Sequence, residues 1–211
     1  MGKRTRNLST DSGSRETAQA IAHDAGVNLK DCYQCGKCSA GCPVAADADT
    51  TPRAIIRNLQ LGQADIAMES TMPWLCVSCG MCLARCPQKV DLPALMRSVR
   101  KAAKSRDIVA IKEADTFADL FVDGIRLQGV SDEALLAARF NLSTGHLFQD
   151  VGSVPAMLKL GMISPGGHKL NDVDEVRTLM EKARQVDASS SASASNAPTE
   201  QTTSSAEGGK A

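Results

Sequence analysis

The residues able to do chemistry are cysteines, eight in a chain of 211 residues. They fall into two copies of one spacing, Cys32-x₂-Cys35-x₂-Cys38-x₃-Cys42-Pro43 and Cys76-x₂-Cys79-x₂-Cys82-x₃-Cys86-Pro87. Three closely spaced thiolates on a tight loop can wrap three corners of an iron–sulfur cubane. The fourth corner must then come from elsewhere, and in two-cluster proteins with this run the fourth cysteine ligates the other cluster. The spacing therefore predicts two [4Fe–4S] clusters. Cys32, Cys35, Cys38 and Cys86 are the candidate ligands of the first, and Cys76, Cys79, Cys82 and Cys42 those of the second. Gly36, Gly41 and Gly80 allow the backbone to curl around a cluster with amides free to face sulfur. Pro43 and Pro87 fix the chain as it leaves each site.

Other uses of eight cysteines fit less well. Zinc prefers two pairs of ligands and gives no reason for a third and fourth cysteine in each block. A disulfide framework needs an oxidising compartment, which nothing here indicates. A [3Fe–4S] centre is possible in principle, but neither block lacks a cysteine. With every thiol committed as a ligand, none remains as a catalytic nucleophile or redox dithiol. The histidines His23, His146 and His168 are scattered outside both blocks and read as surface or capping residues. The segment 161–167 contains Pro165 and does not form a phosphate loop. The chain is thus expected to move electrons and to have no catalytic residue of its own.

Composition limits the partners. The formal net charge is +0, which argues against nucleic acid or an anionic membrane, since both select a basic excess. No run of about 18 apolar residues exists, so no membrane span is expected. Lys3, Arg4 and Arg6 are followed by no apolar segment, so a secretory signal fails and a cytoplasmic location is expected. Aromatic residues are only 3%, so the core must rest on aliphatic side chains, Ala and Met.

The elements that would position the cysteines read as helices, with no period-2 segment, and the expected class is all-α. Residues 1–26 form a leader and a short helix from Ser14 to Ala25, stopped at Gly26. The cluster domain spans 27–106. Within it Thr51 and Pro52 suit N-cap and N1 of a helix ending near Gly62 with Ile55, Ile56 and Leu59 on its apolar face. Asp91 can cap a helix over 92–105 with Leu95, Met96 and Val99 on one stripe. Residues 107–186 read as a helical extension, with helices over 114–122, 132–140, 155–160 and 173–186. From Asp187 the composition collapses into Ser, Ala, Thr and Gly, and the tail 187–211 is expected to be disordered.

Tyr33 and Trp74, the only Tyr and Trp, sit beside ligands and read as shields against water more than as electron stepping stones. Between Met81 and Arg106 stand Arg85, Lys89, Arg97, Arg100, Lys101, Lys104 and Arg106 against a single acid, Asp91. That run is a solvated face, with a second role in offsetting cluster charge or steering an acidic partner.

Cys32-Tyr-Gln-Cys-Gly-Lys-Cys-Ser-Ala-Gly-Cys-Pro43, the helix Pro-Arg-Ala-Ile-Ile-Arg-Asn-Leu-Gln-Leu-Gly62, and Trp74-Leu-Cys-Val-Ser-Cys-Gly-Met-Cys-Leu-Ala-Arg-Cys-Pro87 closely resemble the C subunit of CoB–CoM heterodisulfide reductase. A weaker similarity continues through Met157-Leu-Lys-Leu-Gly161 and the helix from Val173, so that it covers roughly residues 27–186. The resemblance implies an α-helical two-cluster ferredoxin domain rather than the small β-containing ferredoxin. It also implies a complex of unlike subunits. In it an A subunit with flavin and iron–sulfur centres passes electrons through the C subunit to a disulfide-handling B subunit with Cys-Cys-Gly cluster motifs. This chain has neither a Cys-Cys-Gly element nor a flavin signature. An alternative is the iron–sulfur subunit of a glycolate, glycerol-3-phosphate or succinate dehydrogenase, but the additional cysteine motifs usual in those chains are missing.

Overall fold

Thr51 and Pro52 begin a helix for the reasons their chemistry supplies. The Thr51 hydroxyl accepts the Ala54 amide, and Pro52 sits where a missing N–H costs nothing. The resulting helix, α3 (Pro52–Gln60), buries Ile55, Ile56 and Leu59. The computed structural model describes residues 12–146, 152, 154–161 and 170–195, and every regular element among them is a helix. In chain order they are α1 (Ser12–Asp24), α2 (Lys37–Ala40), α3, α4 (Ala64–Met68), α5 (Met72–Leu75), α6 (Met81–Ala84), α7 (Leu92–Lys104), α8 (Lys112–Gln128), α9 (Glu133–Thr144), α10 (Val154–Lys159) and α11 (Val173–Ser195). A 3₁₀ turn, Leu29–Asp31, leads into the first cysteine block.

The core is aliphatic. Helix α7, capped by Asp91 through the Ala94 amide, buries Leu92, Leu95, Met96 and Val99. It packs on α1, α4 and α5, while α3 packs on α4 and α1. Met68, Met72 and Trp74 fill the space between them. Each fully buried Ile or Leu contributes about 1.5–3 kcal/mol, so α7 and α3 are the posts on which both cysteine blocks hang. Helices α2 and α6, one turn each, carry Cys38 and Cys82 and pack against each other.

Helices α8 and α9 form a hairpin beside α5 and bury no side chain completely. Phe117 stacks on Phe121 with ring centroids 6.5 Å apart and meets the edge of Phe140 at 5.7 Å. Three helices are longer than the sequence suggests. Helix α8 runs through Gly124 to Gln128, because one interior glycine costs only about 1 kcal/mol, and it stops at left-handed Gly129. Helix α9 continues past Phe140 to Thr144 and stops at left-handed Gly145. Helix α11 passes Val186 and reaches Ser195, into the segment expected to be disordered. Propagating an existing helix needs no new nucleus, and Ala188, Ala192 and Ala194 favour it. The leader 1–11, His168 and residues 196–211 lie outside the described residues.

One ionic contact joins the first helix to the post. Ser98 Oγ donates to Asp24 Oδ2 at 2.6 Å and Lys101 Nζ to Oδ1 at 2.8 Å. Partial burial pushes the Asp24 carboxyl up, but the hydrogen bonds from Lys101 and Ser98 and the charges of Lys101 and His23 outweigh it, leaving the group below its ordinary value. A depressed carboxylate stabilises the fold above its unfolded pKa and loses that contribution as pH falls through the folded one. Asp24→Asn should therefore lower stability near neutrality by on the order of 1 kcal/mol, the discounted value of charged hydrogen bonds at a part-exposed group. Its acid-denaturation curve should also be flatter below about pH 4, as followed by circular dichroism.

Candidate iron–sulfur centres

The two cysteine blocks repeat in backbone as well as in sequence. Gln34 and Ser78, each just before the second cysteine of its block, have φ of 65° and 52°; Gly36 and Gly80, just after it, have 83° and 75°. Two left-handed residues flanking one cysteine curl the loop sharply, and for Gln34 and Ser78 this conformation costs free energy. The chain then enters one helical turn, α2 or α6, and turns again. The Cys42 amide bonds Ser39 O at 3.3 Å, and the Cys86 amide bonds the matching Leu83 O at 3.1 Å. The glycines are legible in the sequence. The strained Gln34 and Ser78 carry no composition signal, and only the internal repeat could point to them.

The fourth cysteine of the first block lies against the second block. Cys42 lines a small apolar cavity together with Cys76, Cys79 and Cys82, and the remaining wall includes Pro43, Val44, Met72, Met81 and Met96. On the other side, the Tyr33 side chain interacts with Cys35, then with Cys86 and Cys32, which brings Cys86 into the company of the first block. Between the two runs Arg85 crosses Gly41. A Cβ at Gly41 would lie 2.8 Å from the Arg85 guanidinium carbon and 2.9 Å from its Cδ. The structure thus groups Cys42 with Cys76, Cys79 and Cys82, while Cys86 shares the electrostatic neighbourhood of Tyr33 with Cys35 and Cys32. Cys38 lies within electrostatic reach of Cys32 and of Cys82. Among the described residues, no group of three or more His, Cys, Asp or Glu side chains closes on a point that would hold a single metal ion.

Elements outside the blocks hold these positions. Asp49 Oδ1 accepts from Ser70 Oγ at 2.7 Å, Thr71 N at 3.1 Å and Thr71 Oγ1 at 3.0 Å, and the Asp49 amide donates back to Thr71 Oγ1 at 2.9 Å. This pins the loop leaving Cys42 to the start of α5, which leads to Cys76. Gln60, at the end of α3, donates to Leu29 O at 2.7 Å and Cys32 O at 2.8 Å and accepts from Gln34 Nε2 at 3.2 Å. Gln34 Nε2 also reaches Cys32 Sγ at 3.5 Å, and the Val90 amide donates to Cys86 Sγ at 3.4 Å. The Arg53 amide donates to Ser39 Oγ, which touches Cys38 Sγ at 3.9 Å. None of Asp49, Gln60 or Val90 stands out in the sequence, because each acts through distant backbone.

The thiols differ in burial. Cys38 is buried, Cys35 and Cys79 are exposed, and the others are intermediate. Burial pushes the Cys38 thiol up and the Cys82 thiol to about 11, with the neighbouring charges of Cys76 and Cys38 adding to the latter. An uncharged sulfur is favoured at both, so a metal centre binding there has to displace protons, and its positive iron is what makes the thiolate tolerable. An apolar cavity walled by four cysteine sulfurs fits a thiolate-ligated cubane. The two aromatic residues divide. Trp74 is buried at 5% exposure, as a shield requires, whereas Tyr33 is 58% exposed and stands over its cysteines from the solvent side. The basic run also divides. Lys101 pairs with Asp24, Lys104 with Asp115 and Asp119, and Arg106 bonds Thr17.

Because Gln60 bridges α3 to both Leu29 and Cys32, Gln60→Leu should take a donor from each carbonyl, leaving Leu29 O only the long 3.4 Å bond from the Cys32 amide. A cost of about 1–3 kcal/mol is expected, with faster hydrogen exchange concentrated in residues 29–36, read by mass spectrometry.

Residues 28–90 match the family described as a 4Fe–4S dicluster domain. Over 158 residues the chain is 25% identical to the iron–sulfur C subunit of CoB–CoM heterodisulfide reductase from Methanopyrus kandleri, a match covering 73% of this chain and 71% of that protein. It is 37% identical over 62 residues to the C subunit of ferredoxin:CoB–CoM heterodisulfide reductase from Methanosarcina acetivorans, covering 29% of this chain and 25% of that one. Over 96 residues it is 29% identical to the iron–sulfur C 2 subunit of CoB–CoM heterodisulfide reductase from Methanocaldococcus jannaschii, covering 46% and 51%. What the paired cysteine blocks build is a 4Fe–4S dicluster domain with an electron-transfer role, and the chain that carries it is a relative of the C subunit of CoB–CoM heterodisulfide reductase.

Proposed function

We propose that the chain holds two [4Fe–4S] clusters and relays electrons between a flavin-bearing A subunit and a disulfide-handling B subunit of a heterodisulfide-reductase-type complex. It works in the cytoplasm and has no catalytic site of its own. The single observation that carries the reading is the cavity in which Cys42 meets Cys76, Cys79 and Cys82. That grouping favours Cys42 as the fourth ligand of the second cluster and, by the matching repeat, Cys86 as the fourth ligand of the first. When bound, each cluster supplies a one-electron couple. The protein's part is to bind, desolvate and space the two. Residues 27–106 form the two-cluster unit in this reading, and 107–186 an extension beside it.

The residues present suit that task. The packing of α2 on α6 keeps Cys38 and Cys82 close enough to feel each other's charge. Hydrogen bonds from the Val90 amide and the Gln34 side chain to ligand sulfur withdraw charge from it, which is one of the levers that set a cluster's potential. Arg85 lies across Gly41, next to both exchanged cysteines, and its positive charge offsets the negative charge of two neighbouring thiolate-ligated centres. Among the described residues no helix is long and apolar enough to cross a membrane, so electrons are handed over at protein surfaces in this reading.

Cys86→Ala in the anaerobically purified chain should lower iron from about eight to about four atoms per chain. Alkylation should then reach Cys32, Cys35 and Cys38 while Cys76, Cys79 and Cys82 stay protected; the opposite labelling would mean that each block closes on itself. Arg85→Ala and Gly41→Ala should also resemble each other, since an alanine methyl at position 41 displaces the flexible guanidinium rather than backbone. Both should lower the cluster reduction potentials in an EPR-monitored titration, by tens of millivolts for a screened charge a few ångströms away. Unshifted potentials would remove Arg85 from the electrostatics of the pair.

A further inference from the structure

The exits from the two cysteine groups differ in chemistry. On the side of Cys76 and Cys79 the exposed large hydrophobic residues are Val77 (68% exposed) and Met81 (44%), and the adjacent cavity has only sulfur, hydrocarbon and Ser78 in its wall. On the side of Cys32 a groove opens between the first cysteine loop and α3, lined by Cys32, Tyr33, Gln34, Arg53, Arg57 and Gln60 among others, with no acidic side chain in its wall. Here half-buried Cys32 shares a groove wall with two arginines.

Those guanidiniums are unneutralised. Arg53 is tied by its amide to Ser39 Oγ at 3.0 Å, and its Cδ lies 3.8 Å from a Cβ built on Gly36, so its stem covers the cysteine loop. Arg57 touches only Gln60 Oε1, at 3.4 Å. Neither has a carboxylate partner among the described residues, and exposed Lys37 beside Gly36 has none either. On α7, Lys101 and Lys104 are paired with Asp24 and Asp115, while Arg97 and Arg100 share their groove with those two carboxylates without pairing to them. Since the whole chain has a net charge of +0, the positive groove on α3 is a local arrangement and not a general excess.

We propose that this groove is the docking face for an acidic redox protein, whose carboxylates meet Arg53 and Arg57 and bring its own centre over Tyr33 and Cys32. The partner is a protein with carboxylates around its redox centre, which arrives by electrostatic steering and leaves again. Guanidinium–carboxylate pairs suit this because they orient an encounter and raise its rate without a large apolar seal. The proposal rests on the relay reading and adds to it which end of the relay is reached by an exchangeable, charged partner. One electron leaves the reduced partner, and one cluster of the chain goes from the 2+ to the 1+ level; no proton or atom is transferred.

The test uses the full holoprotein and an acidic plant-type [2Fe–2S] ferredoxin. Binding of oxidised ferredoxin is measured by calorimetry at low salt and at about 0.15 M salt, where charges beyond roughly 8 Å are screened. Affinity should fall with salt in the native chain. The double substitution Arg53→Glu and Arg57→Glu should weaken it at least tenfold and flatten the salt dependence, and Arg53→Gln with Arg57→Gln should lie between. Arg97→Glu with Arg100→Glu, the same charge change on α7, should stay within about twofold of native. Stopped-flow reduction by reduced ferredoxin should follow the same order, while dithionite reduces all variants alike, which shows that their clusters are intact. Equal weakening by both glutamate pairs, or binding indifferent to salt, overturns the docking face. So does inorganic phosphate that binds the groove tightly while ferredoxin does not bind. Electron transfer that persists with no charge dependence sinks this face but leaves the relay; a cluster pair that accepts electrons from dithionite and from no protein sinks the relay itself.

Discussion

Everything in this structure depends on how two repeats meet. The chain makes the same sharp curl twice, and the first curl sends its last cysteine into the cavity of the second. Where they meet, α2 and α6 touch, and at their junction Gly41 gives up its Cβ space to Arg85. A larger residue at position 41 would not strain the backbone, whose φ is −110°. It would instead push away the Arg85 guanidinium, which lies across the junction. The constraint is therefore electrostatic as much as steric. In the two-cluster reading, centres ligated by thiolates repel each other at short range, and the positive group has to be let in.

The rest of the fold supplies rigidity to that junction. Helices α7 and α3 are apolar on one side and buried there, which fixes the ends of both loops. The polar ties then set details that packing cannot. Asp49 gathers three hydrogen bonds at a helix start, and Gln60 spans the gap between helix and cysteine loop. Hydrogen bonds to a charged acceptor are worth about 1.5–3 kcal/mol each, so Asp49 holds its loop strongly for a residue on the surface. The α8–α9 hairpin stands apart in character, held by ring contacts of Phe117 with Phe121 and Phe140 and without a sealed core.

Much of this is legible in the residues alone, and the unevenness has physical causes. Thr51, Pro52 and Asp91 act on backbone within three residues, so their caps can be read directly, and Ile55, Ile56, Leu59, Leu95, Met96 and Val99 fall on the buried faces that their period requires. Helix ends are harder. The helix expected over 114–122 runs on through Gly124 to Gln128, because tertiary contact with α9 and α11 offsets a cost of about 1 kcal/mol for the glycine. The cysteines announce themselves, yet the side chains that orient them do not. Gln60 is 28 residues from the carbonyl it holds at Cys32, and Asp49 is 22 from Thr71. No local pattern encodes such pairs. The exposure of Tyr33 is hidden for a related reason, since adjacency to a ligand says nothing about which side faces water.

The cavity that receives Cys42 has a consequence in time. Its wall includes residues as far along the chain as Pro93 and Met96. At a synthesis rate of about 5–20 residues per second, a nascent chain presents Cys42 for several seconds before that wall exists. Through that interval four thiols of the first run stand in a half-made protein, open to oxygen and to stray metal. The cell's problem with this chain is thus one of order of events, and whatever delivers iron and sulfide has reason to wait for α7 to leave the ribosome.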